Sequence, residues 1–434
     1  MHQELSDFAA RLREAIEDSD AAPRRPDGSA NRPCQKLEFN SLALELFRLQ
    51  FQYNPAYQRI CRARGVAPEA VGHWTQIPAV PTSAFKELEL SCIPPAERTA
   101  VFHSSGSTEH KPSRHYHCPE SLAIYEASLW SWFATNVLWS ADDSSAKYSG
   151  KETRGQAVRA PFAAVHLTPP PAQAPHSSLV HMFETVRRKI GGASIPASRS
   201  EFPCKTAADG SWTLDFDAAL AALNQSPITN HQSLLLLGTA FSFVHLLDFL
   251  TEKNLRFNLP AGSRVVETGG YKNRSRSMPK TELQALITER LGIPSENIIR
   301  EYGMSELSSQ AYDGGAALPR DQEFHGRAAA RPSRIFHFPP WARAQIISPE
   351  TGREVAEGEP GLIRVFDLAN VFSVAAIQTE DLGIHHENGF ELIGRAQFAK
   401  PRGCSLMMNE PLAPSLSPPS GERVIPAGRD RVRG

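Results

Sequence analysis

Three stretches, far apart in the chain, carry residue types and spacings suited to chemistry. Residues 103–115 read HSSGSTEHKPSRH, with Ser104, Ser105, Gly106, Ser107 and Thr108 in a row ahead of Lys111 and Arg114. Such a loop can offer backbone N–H groups and hydroxyls to phosphate oxygens, each hydrogen bond to a charged group contributing roughly 1.5–3 kcal/mol. It can equally be a solvated loop, and the G-x-x-x-x-G-K-[ST] spacing of a Walker A loop is absent. Residues 298–309, IIREYGMSELSS, run a strand into Tyr302-Gly303 and then Glu306. Open α/β sheets bind ligands at the carboxyl ends of their strands. There an aromatic ring can stack on a purine and a carboxylate can hold a magnesium ion. A core-packed tyrosine beside a surface glutamate is the plainer alternative. Residues 379–395, TEDLGIHHENGFELIGR, set Asp381 at the start of a hairpin and Arg395 at its end, where the two can share a ribose or simply flank a turn.

The elements that must position these residues alternate. Residues 177–190 read as a helix stopped by Gly191-Gly192. After it come a strand at SLLLL, a helix over 241–252, a strand at SRVVET, a helix over 279–291 and a strand at NIIREYG. That alternation predicts an α/β fold with a largely parallel sheet. Earlier, 40–64 suggests helices interrupted at Asn54-Pro55, and Pro119 opens a helix striped by Leu122, Tyr125, Leu129, Phe133 and Val137. The last third is hairpin-like, with an Asn388-Gly389 turn. The expected units are an N-terminal helix and linker over 1–36, a main domain over 37–395 with a β-rich part from about 335, and a short arm and tail over 396–434.

Composition narrows the function. The 434 residues are 41% hydrophobic and 21% charged with a formal net charge of −1, so no overall field draws the chain to nucleic acid or an anionic membrane. The acidic start lacks a secretory signal pattern, and the most apolar stretch, 233–250, is broken by Gly238, His245 and Asp248, against a membrane span. The 6 cysteines show no C-x-x-C spacing, which suits a reduced, cytoplasmic protein. His103, His110, His115 and His117 lack the spacing of a zinc set, and His115 is a candidate to face an acyl phosphate or a substrate carboxylate.

The order Ser/Thr/Gly loop, Y-G-x-[ST]-E, D-L-G, G-R resembles the adenylate-forming superfamily. VPTSAFKELEL, HSSGST, ETGGYK, EYGMSE, TEDLG and GRAQFAKPRGCSL together resemble the acyl-protein synthetase (LuxE) family over about 37–408. The resemblance implies an adenylate-forming large domain, mostly parallel sheets flanked by helices, with the usual C-terminal small domain largely absent. It implies that Ser104, Ser105, Gly106, Ser107 and Thr108 handle ATP phosphates, and that Gly269, Gly270 and Tyr302 frame the adenine. Ser305 would touch the α-phosphate, Glu306 would hold magnesium, and Asp381 and Arg395 would take the ribose. The implied enzyme is an acid–thiol ligase: it activates a carboxylic acid, of the fatty class, to acyl-AMP. It then carries the acyl group on Cys404 as a thioester for a partner acyl reductase. Glu109 and Glu380 depart from the superfamily pattern. Two alternatives therefore stay open, a ligase using coenzyme A or a carrier thiol and a non-catalytic nucleotide-binding scaffold.

Overall fold

The chain opens with α1 (Gln3–Asp20), whose Leu5, Phe8, Leu12 and Ile16 recur at helical spacing and are all buried. α2 (Phe39–Tyr53) buries Phe39, Ala43, Leu46 and Phe47 in the same way. It stops at Asn54, whose side chain accepts from the Tyr57 N–H at 3.0 Å and caps α3 (Pro55–Ala63). Pro55 falls in the first turn of α3, where its missing N–H costs nothing. This computed structural model describes residues 2–20, 38–104, 111–138, 162–191, 200–208, 210–228, 233–269, 278–314, 334–387 and 389–396. Ser105, Gly106, Ser107, Thr108, Gly270 and Cys404 lie outside them.

Next come β1 (Val80–Pro81), α4 (Ala84–Glu87), the antiparallel pair β2 (Ala100–His103) and β3 (Arg114–His117), and α5 (Pro119–Phe133). α5 starts at the expected proline and buries Tyr125, Leu129 and Phe133. Its stripe continues past Phe133 in a π-helical turn, Ala134–Leu138, which buries Val137. α1 lies against α5, where Ser6 Oγ donates to Glu120 at 2.8 Å.

The alternating segments then appear in order. They are β4 (Phe162–Leu167), α6 (Ser178–Gly191), β5 (Ser200–Glu201), the pair β6 (Cys204–Thr206) and β7 (Trp212–Leu214), and α7 (Phe216–Ile228). β8 (Ser233–Thr239), α8 (Ala240–Glu252), β9 (Arg264–Thr268), α9 (Lys280–Leu291), β10 (Ile298–Tyr302) and β11 (Ala311–Tyr312) complete this half. Among the described residues these strands form a six-stranded sheet in the order β11-β10-β9-β8-β4-β5. Its pairs are parallel except the antiparallel β10–β11 edge. Helices cover both faces, which explains the unbroken apolar run of β8. α7, α8 and α9 bring Leu223, Leu247 and Ile287 to one face, and α5 and α6 bring Leu129, Phe133 and Phe183 to the other.

β12 (Ala342–Ile347), β13 (Pro360–Asp367), β14 (Ala376–His386) and β15 (Gly389–Arg395) pair antiparallel in a second sheet. β1, from a distant part of the chain, joins it parallel to β14. Its Val365 and Ile377 pack into one cluster with Leu46 and Phe47 of α2 and with α1. Gln50 ties the layers together, donating to the Asn370 carbonyl at 2.8 Å and accepting from the Ala375 N–H at 3.0 Å. The expected mixed α/β fold, a mostly parallel sheet beside a β-rich unit, is what the chain adopts.

Candidate active site

β10 delivers Tyr302 to the carboxyl end of the parallel sheet, and the chain then turns through Gly303 and Met304 to Ser305 and Glu306. A Cβ at Gly303 would run into the Glu301 carboxylate, so any larger residue there would have to displace that side chain. The Tyr302 ring is buried against Phe390, with ring centroids 5.3 Å apart, and against Phe336 at 6.1 Å. Its hydroxyl donates to Asp381 Oδ2 at 3.1 Å, so motifs from the two sheets meet. Burial and the Asp381 charge hold the phenol well above its ordinary range, which keeps it a donor. Gly269 follows Thr268, which sits opposite Glu301, and so lies beside Tyr302. It takes a left-handed φ of +76°, and among the described residues, its chain neighbours aside, no atom lies within 4 Å of the place a Cβ would fill.

The Ser/Thr loop enters from the other side. β3 carries His115, buried, and its Nδ1 donates to the Ser305 carbonyl at 2.8 Å. That places the β2–β3 hairpin, and hence the ends of the Ser/Thr loop, against the Tyr302–Glu306 segment. Burial lowers the His115 pKa, while the Ser305 carbonyl and the Glu306 charge partly oppose the shift. Ser104 anchors the loop's start, its Oγ accepting from the Ser113 N–H at 3.0 Å.

Ser305 Oγ donates to Glu306 Oε2 at 3.0 Å, and the Glu306 carbonyl accepts from Asn370 Nδ2 at 2.9 Å. Both residues are buried. A carboxylate beside a hydroxyl is an oxygen donor set suited to a hard cation bridging phosphates. Arg395 stands opposite Asp381 in the β14–β15 ladder, with its guanidinium on Glu380 at 2.6 Å. The departure at Glu380 thus acquires a role: it fixes Arg395 beside the candidate ribose acid. Among the described residues no three His, Cys, Asp or Glu side chains group as metal ligands.

Two buried acids escape a reading by motif. Asp367 accepts from the N–H groups of Ser308, Ser309 and Ala369 at 2.9, 2.8 and 3.0 Å and from Ser309 Oγ at 2.7 Å. It braces the segment after Glu306, and burial pushes its pKa to about 6 in spite of those bonds. Its only sequence signal is an acid closing an apolar strand. Glu301 accepts from Thr268 Oγ1, and burial pushes it to about 7.

Two outcomes follow. Tyr302→Phe, losing one hydrogen bond to a charged acceptor, is expected to raise KM for ATP about tenfold with little change in kcat, read by steady-state kinetics. Glu301 binds its proton more tightly in the folded chain than in the unfolded one, where a glutamate ionises near 4.5. Stability therefore falls as pH rises from about 4.5 through about 7. Glu301→Gln removes that loss, so its melting temperature relative to the parent should be higher at pH 8 than at pH 5. The difference should correspond to about 1–3 kcal/mol, measured by thermal denaturation at both pH values.

Solved structures share this architecture. The post-adenylation structure of 2-hydroxyisobutyryl-CoA ligase with 2-HIB-AMP superposes with a TM-score of 0.54 at 14% identity, covering 83% of this chain and 68% of that one. The open conformation with 2-HIB-AMP and CoA gives 0.53 at 14%, covering 83% and 70%. At such identity the likeness establishes the fold, that of adenylate-forming ligases. The long-chain-fatty-acid--luciferin-component ligase of Aliivibrio fischeri is 28% identical over 185 residues, 40% of this chain and 44% of that protein. The Vibrio harveyi protein of the same name is 24% identical over 206 residues, 45% and 50%. The chain thus spans half or less of the length of these curated relatives. The family described as acyl-protein synthetase, LuxE, matches residues 195–413, which takes in β8 to β15, the Tyr302–Glu306 turn and Asp381. With just over half its length covered by that family, the chain belongs to the LuxE acyl-protein synthetases.

Proposed function

We propose that the chain activates a carboxylic acid of the fatty class with ATP and then holds the acyl group on Cys404 as a thioester. In the first step a substrate carboxylate oxygen attacks the α-phosphorus of ATP. The bond from that phosphorus to the bridging oxygen breaks, and pyrophosphate leaves with the electron pair. In the second step the Cys404 thiolate attacks the acyl carbon, the carbon–oxygen bond to AMP breaks, and AMP departs. Adenylation is needed because a free carboxylate has no adequate leaving group. Catalysis then falls to positioning and charge neutralisation.

The carrying observation is convergence at the end of β10. Tyr302 bonds Asp381 and His115 bonds the Ser305 carbonyl, so the three motifs border one locus. In this reading Tyr302 and Gly269 flank the adenine, Asp381 and Arg395 hold the ribose, and Ser305 meets the α-phosphate. Ser104 and the loop after it would cradle the outer phosphates. Glu306 would hold magnesium, which neutralises charge developing on the phosphates. His115, neutral and donating from Nδ1, fixes the Ser305 backbone. The names of the Aliivibrio and Vibrio relatives support a long-chain fatty acid, and the family description, acyl-protein synthetase, supports a protein acceptor. Among the described residues no helix is long and apolar enough to cross a membrane. Release of pyrophosphate that depends on an added acid tests the reading, and its absence across a broad acid panel, with ATP still bound, would leave only a nucleotide-binding scaffold.

A further inference from the structure

The register of the six-stranded sheet lines up polar side chains across its carboxyl edge. Thr239 is opposite Thr268, Thr268 is opposite Glu301, and Glu301 is opposite Tyr312. Thr168 follows the Leu167–Gly238 pair and so extends the row onto β4. Opposed residues share a face. This face is the one covered by α5 and α6, because Leu237, Val266 and Ile299, two residues earlier on each strand, pack with Phe133 and Phe183. An apolar layer thus gives way to a polar one at the strand ends. Every member is buried, Thr168, Thr239 and Tyr312 at 0% exposure, Glu301 at 6% and Thr268 at 8%, and so is Gln310, two residues before Tyr312, at 5%.

Some of the row is satisfied within the fold. Thr239 caps α8 through the Ser242 N–H at 3.0 Å, and Thr268 donates to Glu301. Among the described residues the Tyr312 hydroxyl, Gln310 Oε1 and Thr168 Oγ1 make no hydrogen bond. A buried polar atom left unpaired costs roughly 1–3 kcal/mol, so native chains keep such groups chiefly where water or a ligand completes them. Gln310 and Tyr312 lie together at the β11 edge, next to the Tyr302–Glu306 turn, whereas Thr168 stands four strands away at the end of β4. Tyr312 lies close enough to Glu301 and Tyr125 for both to raise its pKa further, and Gln310 and Glu301 both lie against Gly303.

We propose that this row selects an acid bearing a hydroxyl close to its carboxyl group, with Tyr312 donating to that hydroxyl and Gln310 accepting from it. The inference rests on the adenylation reading and deepens it by naming the substrate class. A hydroxyl both accepts and donates and so completes both atoms, whereas a plain methylene leaves both unpaired beside the substrate. The substituent belongs near the carboxyl because Glu301 and Gly303 run directly into Ser305 and Glu306, where the carboxylate must meet phosphate.

The test compares decanoate, β-hydroxydecanoate and ω-hydroxydecanoate by pyrophosphate release. The β-hydroxy acid should exceed decanoate about tenfold in kcat/KM, the worth of one hydrogen bond, and the ω-hydroxy acid should not. Tyr312→Phe should bring the β-hydroxy to plain ratio close to one while its melting temperature holds or rises, since an unpaired hydroxyl has been removed. Gln310→Met should lower the same ratio. Equal use of the three acids by the parent, or a preference that survives in both variants, overturns the inference with adenylation intact. No pyrophosphate from any acid overturns the underlying reading instead.

Discussion

Glu306→Gln should lower the rate of acid-dependent pyrophosphate release by at least about a hundredfold, and raising magnesium should restore little of it. The substitution keeps the volume of the side chain and an oxygen that can accept from Ser305 Oγ, which lies 3.0 Å from the carboxylate. The backbone is also retained, because Asn370 holds the Glu306 carbonyl at 2.9 Å. What disappears is a full negative charge in a buried position, the feature a hard cation needs from the protein when phosphates supply its other ligands. Because charge is removed and shape is not, the melting curve should stay cooperative while the rate collapses. A magnesium titration of parent and variant checks the result. A Glu306→Gln protein within a few-fold of the parent would strip Glu306 of the metal role and leave it as a brace for the turn.

Most of the elements around this site were legible locally. α6, β8, α8, β9, α9 and β10 lie within a residue or two of where periodicity and glycine stops place them, because each carries its own pattern. β1 and β5, two residues each, exist only because a neighbouring strand pairs with them. No local pattern can announce such strands. The π-helical turn after Phe133 likewise prolongs a stripe that reads as ordinary helix. In the site, Tyr302, Ser305, Glu306 and Asp381 could be named from motif order, and the fold brings Tyr302 and Asp381 into contact. Asp367 could not, since its partners Ser308 and Ser309 come from the distant connection between β10 and β11. The unpaired hydroxyl of Tyr312 was equally hidden, because only strand register shows which side chains line up at a sheet edge. Glu380 shows the opposite failure. As a letter it looks like damage to a motif, and in the fold it is the anchor of Arg395.

Cys404→Ser should abolish hydroxylamine-labile acyl labelling of the chain while leaving the first burst of pyrophosphate. β15 ends at Arg395, opposite Asp381, so the segment bearing Cys404 departs from the candidate ribose site itself. Nine residues of extended chain reach on the order of 30 Å, enough to bring a thiol back to the end of β10. The other cysteines described are poor rivals. Cys61, Cys92, Cys118 and Cys204 are all buried, and burial raises the Cys61 thiol to about 11 and pushes Cys92 and Cys204 up as well. Thiols held that way stay protonated near neutral pH and are weak nucleophiles. Cys404 follows Arg402 by two residues, and a neighbouring guanidinium favours the thiolate. Intact-mass measurement after incubation with ATP, magnesium and an activated acid should show one acyl adduct on the parent and none on the variant, a complete rather than a partial loss. Serine keeps the shape but replaces a thiol with a far less acidic hydroxyl, so a surviving labile adduct would place the acyl carrier elsewhere. Loss of the pyrophosphate burst along with the adduct would instead tie residue 404 to adenylation, and undercut the division of labour between the end of β10 and the arm.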